Sequence, residues 1–129
     1  MPLVRFDLPA GLPPGRIAAL AEAVHRAMVE TIDVPERDRF QVIAEHPPGR
    51  LVLDPSFPEA RRSAQASIVH ITLRRGRSEA KKRALFAAIA VHVVAAGHDP
   101  DDLMVVLTEN EPVDWAFAAG IAHYAQVPA

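Results

Sequence analysis

The chain has 129 residues, half of them hydrophobic and 23% charged, with a formal net charge of −2 and no cysteine. That length fits one domain with a core of its own, and the near-neutral balance gives no electrostatic basis for a nucleic-acid or anionic-membrane partner. Disulfides and thiolate chemistry are excluded, and the six histidines lie apart, without the HxH or HExxH spacing that holds zinc.

The chain opens Met1-Pro2-Leu3-Val4-Arg5-Phe6. If Met1 is removed, Pro2 presents a secondary amine, and a terminal amine titrates near ~7.7–8.0. Such a group can serve as base, acid or carbonyl nucleophile without help from a side chain. If Met1 stays, the proline nitrogen is an amide with no basicity. Val4–Leu8 alternates apolar and polar residues, which predicts a strand. No basic region followed by an apolar run of about 7–15 residues precedes it, so a cytoplasmic location is expected.

After Leu12-Pro13-Pro14-Gly15, Ile17, Leu20, Val24 and Met28 recur at helical spacing, predicting an amphipathic helix over Arg16–Thr31. The turn Val34–Asp38 leads to a strand at Arg39–Glu45. Pro47–Ser63 reads as a proline-rich excursion with a short strand at Leu51–Leu53. Ser67–Leu73 is a β-branched strand, Arg74-Arg75-Gly76-Arg77 a loop, and Ser78 the N-cap of a helix ending near Ala96 at Gly97. That helix is too short an apolar stretch to cross a bilayer. A turn at Asp99–Asp102 precedes the strand Leu103–Thr108.

The second half thus repeats the first: Gly15-Arg16 aligns with Gly76-Arg77, Pro35 with Pro100, and Glu45 with Glu109. Tandem β-α-β units, about 1–46 and 64–109 with a tail at 110–129, predict an α+β fold: one four-stranded mixed sheet with two helices on one face. Val69, Ile71 and Leu73 would lie on one face of the third strand, and neither face is strongly polar. Ile68, His70 and Thr72 would lie on the other, and because helices cover only one face the open one calls for cover by further copies of the chain. Trp115, Phe117 and Tyr124 require the tail to pack somewhere. His25 and His70 read as structural.

Several blocks together resemble the tautomerase superfamily, and within it the malonate semialdehyde decarboxylase family. They are Met1–Leu8, Ala23-Val24-His25-Arg26-Ala27, Val34-Pro35-Glu36-Arg37-Asp38-Arg39-Phe40-Gln41, Glu45-His46-Pro47, Gly76-Arg77-Ser78-Glu79 with Lys81, and Glu109-Asn110 ahead of Asp114-Trp115-Ala116-Phe117. The resemblance implies a homotrimer that uses no cofactor and no metal. It also implies that Pro2 is the catalytic amine, Asp38 its acidic partner, and arginines after the third strand the binders of a carboxylate. Arg74 fits the first of these; Arg75 and Arg77 both fit the second. Read alone, Asp38 is a turn residue and Arg74–Arg77 a solvated loop.

The chemistry explains why these residue types belong together. A guanidinium holds a carboxylate through two parallel hydrogen bonds. A carboxylate near Pro2 raises the pKa of its amine, and arginines lower it. A protonated Pro2 stabilises the enolate left by loss of carbon dioxide from a 3-oxo acid such as malonate semialdehyde. A neutral Pro2 is a base that interconverts enol and keto forms of 2-hydroxy-dienoates or phenylpyruvate-like substrates. Hydration or dehalogenation of an activated substrate is a related outcome, and a non-catalytic trimeric binding module is what remains if Met1 is retained. Trp115 and Phe117 would wall the substrate pocket and exclude water.

Overall fold

The computed structural model describes residues 1–125; residues 126–129, the end of the predicted tail, lie outside the described residues. Strand β1 (Pro2–Pro9) leads into helix α1 (Pro14–Thr31) and strand β2 (Phe40–His46). Strand β3 (Ser67–Arg74), helix α2 (Glu79–Ala95) and strand β4 (Leu103–Asn110) repeat that order. The sheet runs β2-β1-β3-β4. The outer pairs are parallel and the central β1–β3 pair antiparallel, so the two units meet head to tail.

The periodicities that predict these elements also build the core. Val4, Phe6 and Leu8 of β1 and Val69, Ile71 and Leu73 of β3 are buried against Leu20, Val24 and Met28 of α1 and Leu85, Ile89 and Val93 of α2. Pro14 opens α1 in its first turn, where the missing N–H costs nothing. Ser78 caps α2 by accepting a hydrogen bond from the Lys81 amide at 3.2 Å. Gly97, at φ +84°, takes the left-handed turn that ends the helix.

The strand predicted at Leu51–Leu53 does not form. Prolines at 47, 48, 55 and 58 remove ladder donors from this stretch. Asp54 instead accepts from the Ser56 and Phe57 amides at 3.0 and 2.7 Å, closing a turn. The excursion is tied down at its far end, where the buried Asp102 carboxylate accepts from the Ser63 amide and hydroxyl, both at 2.6 Å.

The face away from the helices carries Leu3, Ile68, His70, Met104 and Val106. Among the described residues of the single chain, only the excursion, beside Ile68 and Met104, and the tail aromatics, beside Leu3, border it. Among the described residues no helix is long and apolar enough to cross a membrane.

Candidate active site

The sheet register gathers the candidate residues at one end. Pro2 pairs with Leu73, Leu3 lies between Phe40 and Thr72, and Arg74 pairs with Asn110. The start of β1, the approach to β2 and the ends of β3 and β4 therefore share one rim. Residues far apart in sequence meet there because β1 is central and runs antiparallel to β3.

Met1 and Pro2 are both buried at this rim. The Met1 amine forms an ion pair with Oδ2 of Asp38, whose side chain is 10% exposed. Among the described residues no other donor reaches that buried oxygen, so the amine is its electrostatic partner. Asp38 is presented by a turn in which its own amide donates to the Pro35 carbonyl at 3.0 Å. With Met1 in place, the basic nitrogen here belongs to methionine and the Pro2 nitrogen is an amide.

Burial, then the charge of Arg77, then that of Arg74 lower the Met1 amine from 8.0 to about 5. The Asp38 carboxylate pulls the opposite way, since an ion pair favours the ammonium. Two cations together with desolvation outweigh one anion, and the net direction is downward.

The three loop arginines have separate fates. Arg75 is largely exposed and pairs with Glu111 at 2.8 Å. Gly76, at φ +136°, adopts a backbone conformation that a side chain would strain. Arg77, beyond it, donates through Nε and Nη2 to the Ile32 carbonyl at the end of α1, at 3.1 and 3.0 Å. Burial and the neighbouring Arg74 lower the pKa of Arg77 itself. Among the described residues no acceptor engages the Arg74 guanidinium, which lies over the Tyr124 ring at 5.0 Å. Of the two candidates for a second arginine, Arg77 is the one whose charge reaches the amine.

Two hollows flank these groups. A basic one of about 250 Å³ is lined by Ile32, Asp33, Lys81 and all three loop arginines, Arg74, Arg75 and Arg77. An aromatic one of about 390 Å³ is lined by Leu3, Phe40, Thr72, Asn110, Trp115 and Phe117. Trp115 donates from Nε1 to Asn110 Oδ1 at 2.6 Å and stacks on Phe117, which also meets Phe40 at 5.4 Å. Trp115 and Phe117 thus form a wall rather than joining the main core. A third cavity, of about 220 Å³, lies between α2 and β4 with only apolar lining and none of these residues. Sequence reasoning left Phe40, Asn110 and Tyr124 without a role. Phe40 and Asn110 fall within blocks that carry the family resemblance, whereas nothing local distinguishes Tyr124.

His25 and His70 are structural here: His25 is buried with Nε2 at 2.8 Å from the Glu36 carbonyl, and His70 lies 2.7 Å from the Thr108 hydroxyl.

The profile of the Tautomerase enzyme family matches residues 38–118, and a second Tautomerase enzyme profile matches residues 2–61. The probable tautomerase YusQ of Bacillus subtilis (strain 168) is 32% identical over 95% of this chain and 97% of its own. A malonate semialdehyde decarboxylase, FG41, solved with the inhibitor 3-bromopropiolate, superposes with a TM-score of 0.89 at 35% identity over 95% of this chain and 93% of its own. A fused 4-OT described as a symmetric trimer superposes at 0.77 with 26% identity over 95% of this chain and 98% of its own. Likeness of this extent over nearly the whole length, on a duplicated β-α-β sheet, makes the chain a member of the tautomerase superfamily.

Proposed function

We propose that the protein is a cofactor-free enzyme that uses Pro2, once Met1 is removed, to decarboxylate a small 3-oxo acid such as malonate semialdehyde. The observation that carries this reading is the ion pair between the Met1 terminal amine and Asp38 at the rim where Pro2 lies, since removal of Met1 would leave the Pro2 amine beside a carboxylate that favours its protonated form. Whole-length likeness to malonate semialdehyde decarboxylases supports the choice of reaction.

In this reading Arg74 grips the carboxylate and the protonated Pro2 amine donates a hydrogen bond to the 3-oxo oxygen. The bond between carbon 2 and the carboxyl carbon breaks and carbon dioxide leaves. Its electron pair becomes an enolate whose oxygen is stabilised by the prolinium. A proton returned to carbon 2 gives the aldehyde. The Trp115–Phe117 wall favours this step, because a carboxylate becomes a neutral molecule where water is excluded.

A second reading is favoured by one observation: burial, Arg77 and Arg74 lower the pKa of the Met1 amine, and the same surroundings would act on Pro2 once it is terminal. A neutral amine at pH 7 is a base, and its reaction would be enol–keto tautomerisation of a 2-hydroxy-dienoate or phenylpyruvate-like enol. Initial rates against pH, on Met1-free protein, separate the two. Decarboxylation through prolinium declines as pH rises through the amine pKa, whereas tautomerisation increases. If Pro2→Ala leaves both rates unchanged, neither reading survives.

The chain is also read as one subunit of a homotrimer. The uncovered sheet face supports this, as does the trimeric fused 4-OT relative.

A further inference from the structure

The tail doubles back at Ala119 and Gly120, both at positive φ (57° and 70°), and so brings Tyr124 to the site. The Tyr124 ring meets Phe117 edge-on at 5.3 Å, and the Phe117 amide donates to His123 Nδ1 at 3.3 Å. These contacts fix the ring from one side. On the other, the Arg74 guanidinium lies 5.0 Å from the ring centroid.

We propose that Tyr124 is a positioning residue for the substrate carboxylate, acting through Arg74. A long arginine side chain that, among the described residues, no acceptor holds samples many rotamers, and binding must order it. An aromatic face attracts the guanidinium and fixes its plane while leaving the N–H edge free, because the stacked contact uses the face and not the donors. Arg77 is anchored differently, by the Ile32 carbonyl, so the two cations of the site are held by unlike devices. Arg74 depends on a tail that folds over the sheet last in sequence.

This inference rests on the reading that Arg74 binds a carboxylate, and the experiment keeps the two apart. The probe is malonate, titrated calorimetrically into the full Met1-free chain. The chemical shift of the Arg74 Nε–H reports the ring current of residue 124. Tyr124→Leu is expected to weaken malonate about tenfold and to abolish the ring-current shift, with Tyr124→Phe recovering both to within about twofold. In an Arg74→Ala background, Tyr124→Leu is expected to cause no further loss.

Wild type binding malonate, with Tyr124→Leu binding equally well, overturns the positioning role. So does an equal further loss in the Arg74→Ala background, which would mark Tyr124 as a general support of the tail. Should Arg74→Ala match wild type, the carboxylate reading of Arg74 itself fails and the role of Tyr124 falls with it.

Discussion

Arg74, Arg75 and Arg77 lie within four positions, yet they occupy three electrical environments. Arg75 shares its charge with Glu111 in solvent, and exposed pairs of this kind contribute little. Arg75→Ala should therefore leave both kcat and KM within about twofold of wild type. Arg77 acts on the amine through space, so Arg77→Gln is expected to raise the amine pKa. The limb of the pH–rate profile that reports the amine moves to higher pH, whichever reaction the enzyme performs. Arg74→Gln instead raises KM for the carboxylate substrate by about tenfold or more, because a charge-assisted pair contributes about 1.5–3 kcal/mol. A shift of the pH limb in Arg75→Ala, with none in Arg77→Gln, would reverse the assignment of the two. The separation was not legible in the sequence. The RRGR run shows four residues but not which way the chain turns at Gly76, nor that a carbonyl at the end of α1 waits for Arg77. Without the family resemblance Asp38 was legible only as a turn residue, since its partner lies at the other end of the half-unit.

Elements were easier to read than sites, because each carries its own signal. Val69, Ile71 and Leu73 alternate with Ile68, His70 and Thr72, and that period of two is the sheet geometry itself. Ser78 and Gly97 mark the ends of α2 by local backbone chemistry, and Ser78→Ala should cost about 1 kcal/mol in a denaturant titration. The excursion between β2 and β3 was harder, because long-range side chains hold it. Its anchor is Asp102, which takes both donors of Ser63, beside a buried His98 whose Nδ1 lies 3.3 Å from Arg16 Nη2. Removing that carboxylate strands two donors, so Asp102→Ala should expose residues 47–62 to limited proteolysis and cost about 1–3 kcal/mol. The same cluster gives a pH dependence. Burial, then the charge of Arg16 against it, holds the His98 pKa below 6.5 despite the Asp102 carbonyl. The unfolded chain therefore binds the extra proton first, and the fold should lose stability as pH falls below about 6.5. In His98→Gln the melting temperature should lose much of that acid slope; an unchanged slope would place its origin elsewhere.

At the scale of the whole molecule, the sheet is finished on one side only. The helices cover Val4, Phe6, Leu8 and their partners on β3, whereas Leu3, Met104 and Val106 on the opposite face remain about 40% exposed. The edge strands β2 and β4 also each present an unpaired backbone edge, and β2 exposes Val42 and Ile43 in succession. A solitary chain would carry both an apolar face and two open edges, a combination that invites association. Closed rotational assembly satisfies both at once, because each copy can cover the face and edge of the next. Val106 is the position at which to test this, since it projects from β4 on the uncovered side, beside His70 in register and away from the amine. A carboxylate there would be buried among apolar side chains with only the His70 imidazole beside it, already 2.7 Å from the Thr108 hydroxyl, and burying a charge so poorly paired costs more than one side chain's contacts supply. Val106→Glu is therefore expected to sediment as a monomer at micromolar concentration while wild type sediments as a trimer. Far-ultraviolet circular dichroism should be retained, because the side chain is solvated in the single chain. A wild-type protein that is monomeric at every concentration would mean that the open face has no self-partner.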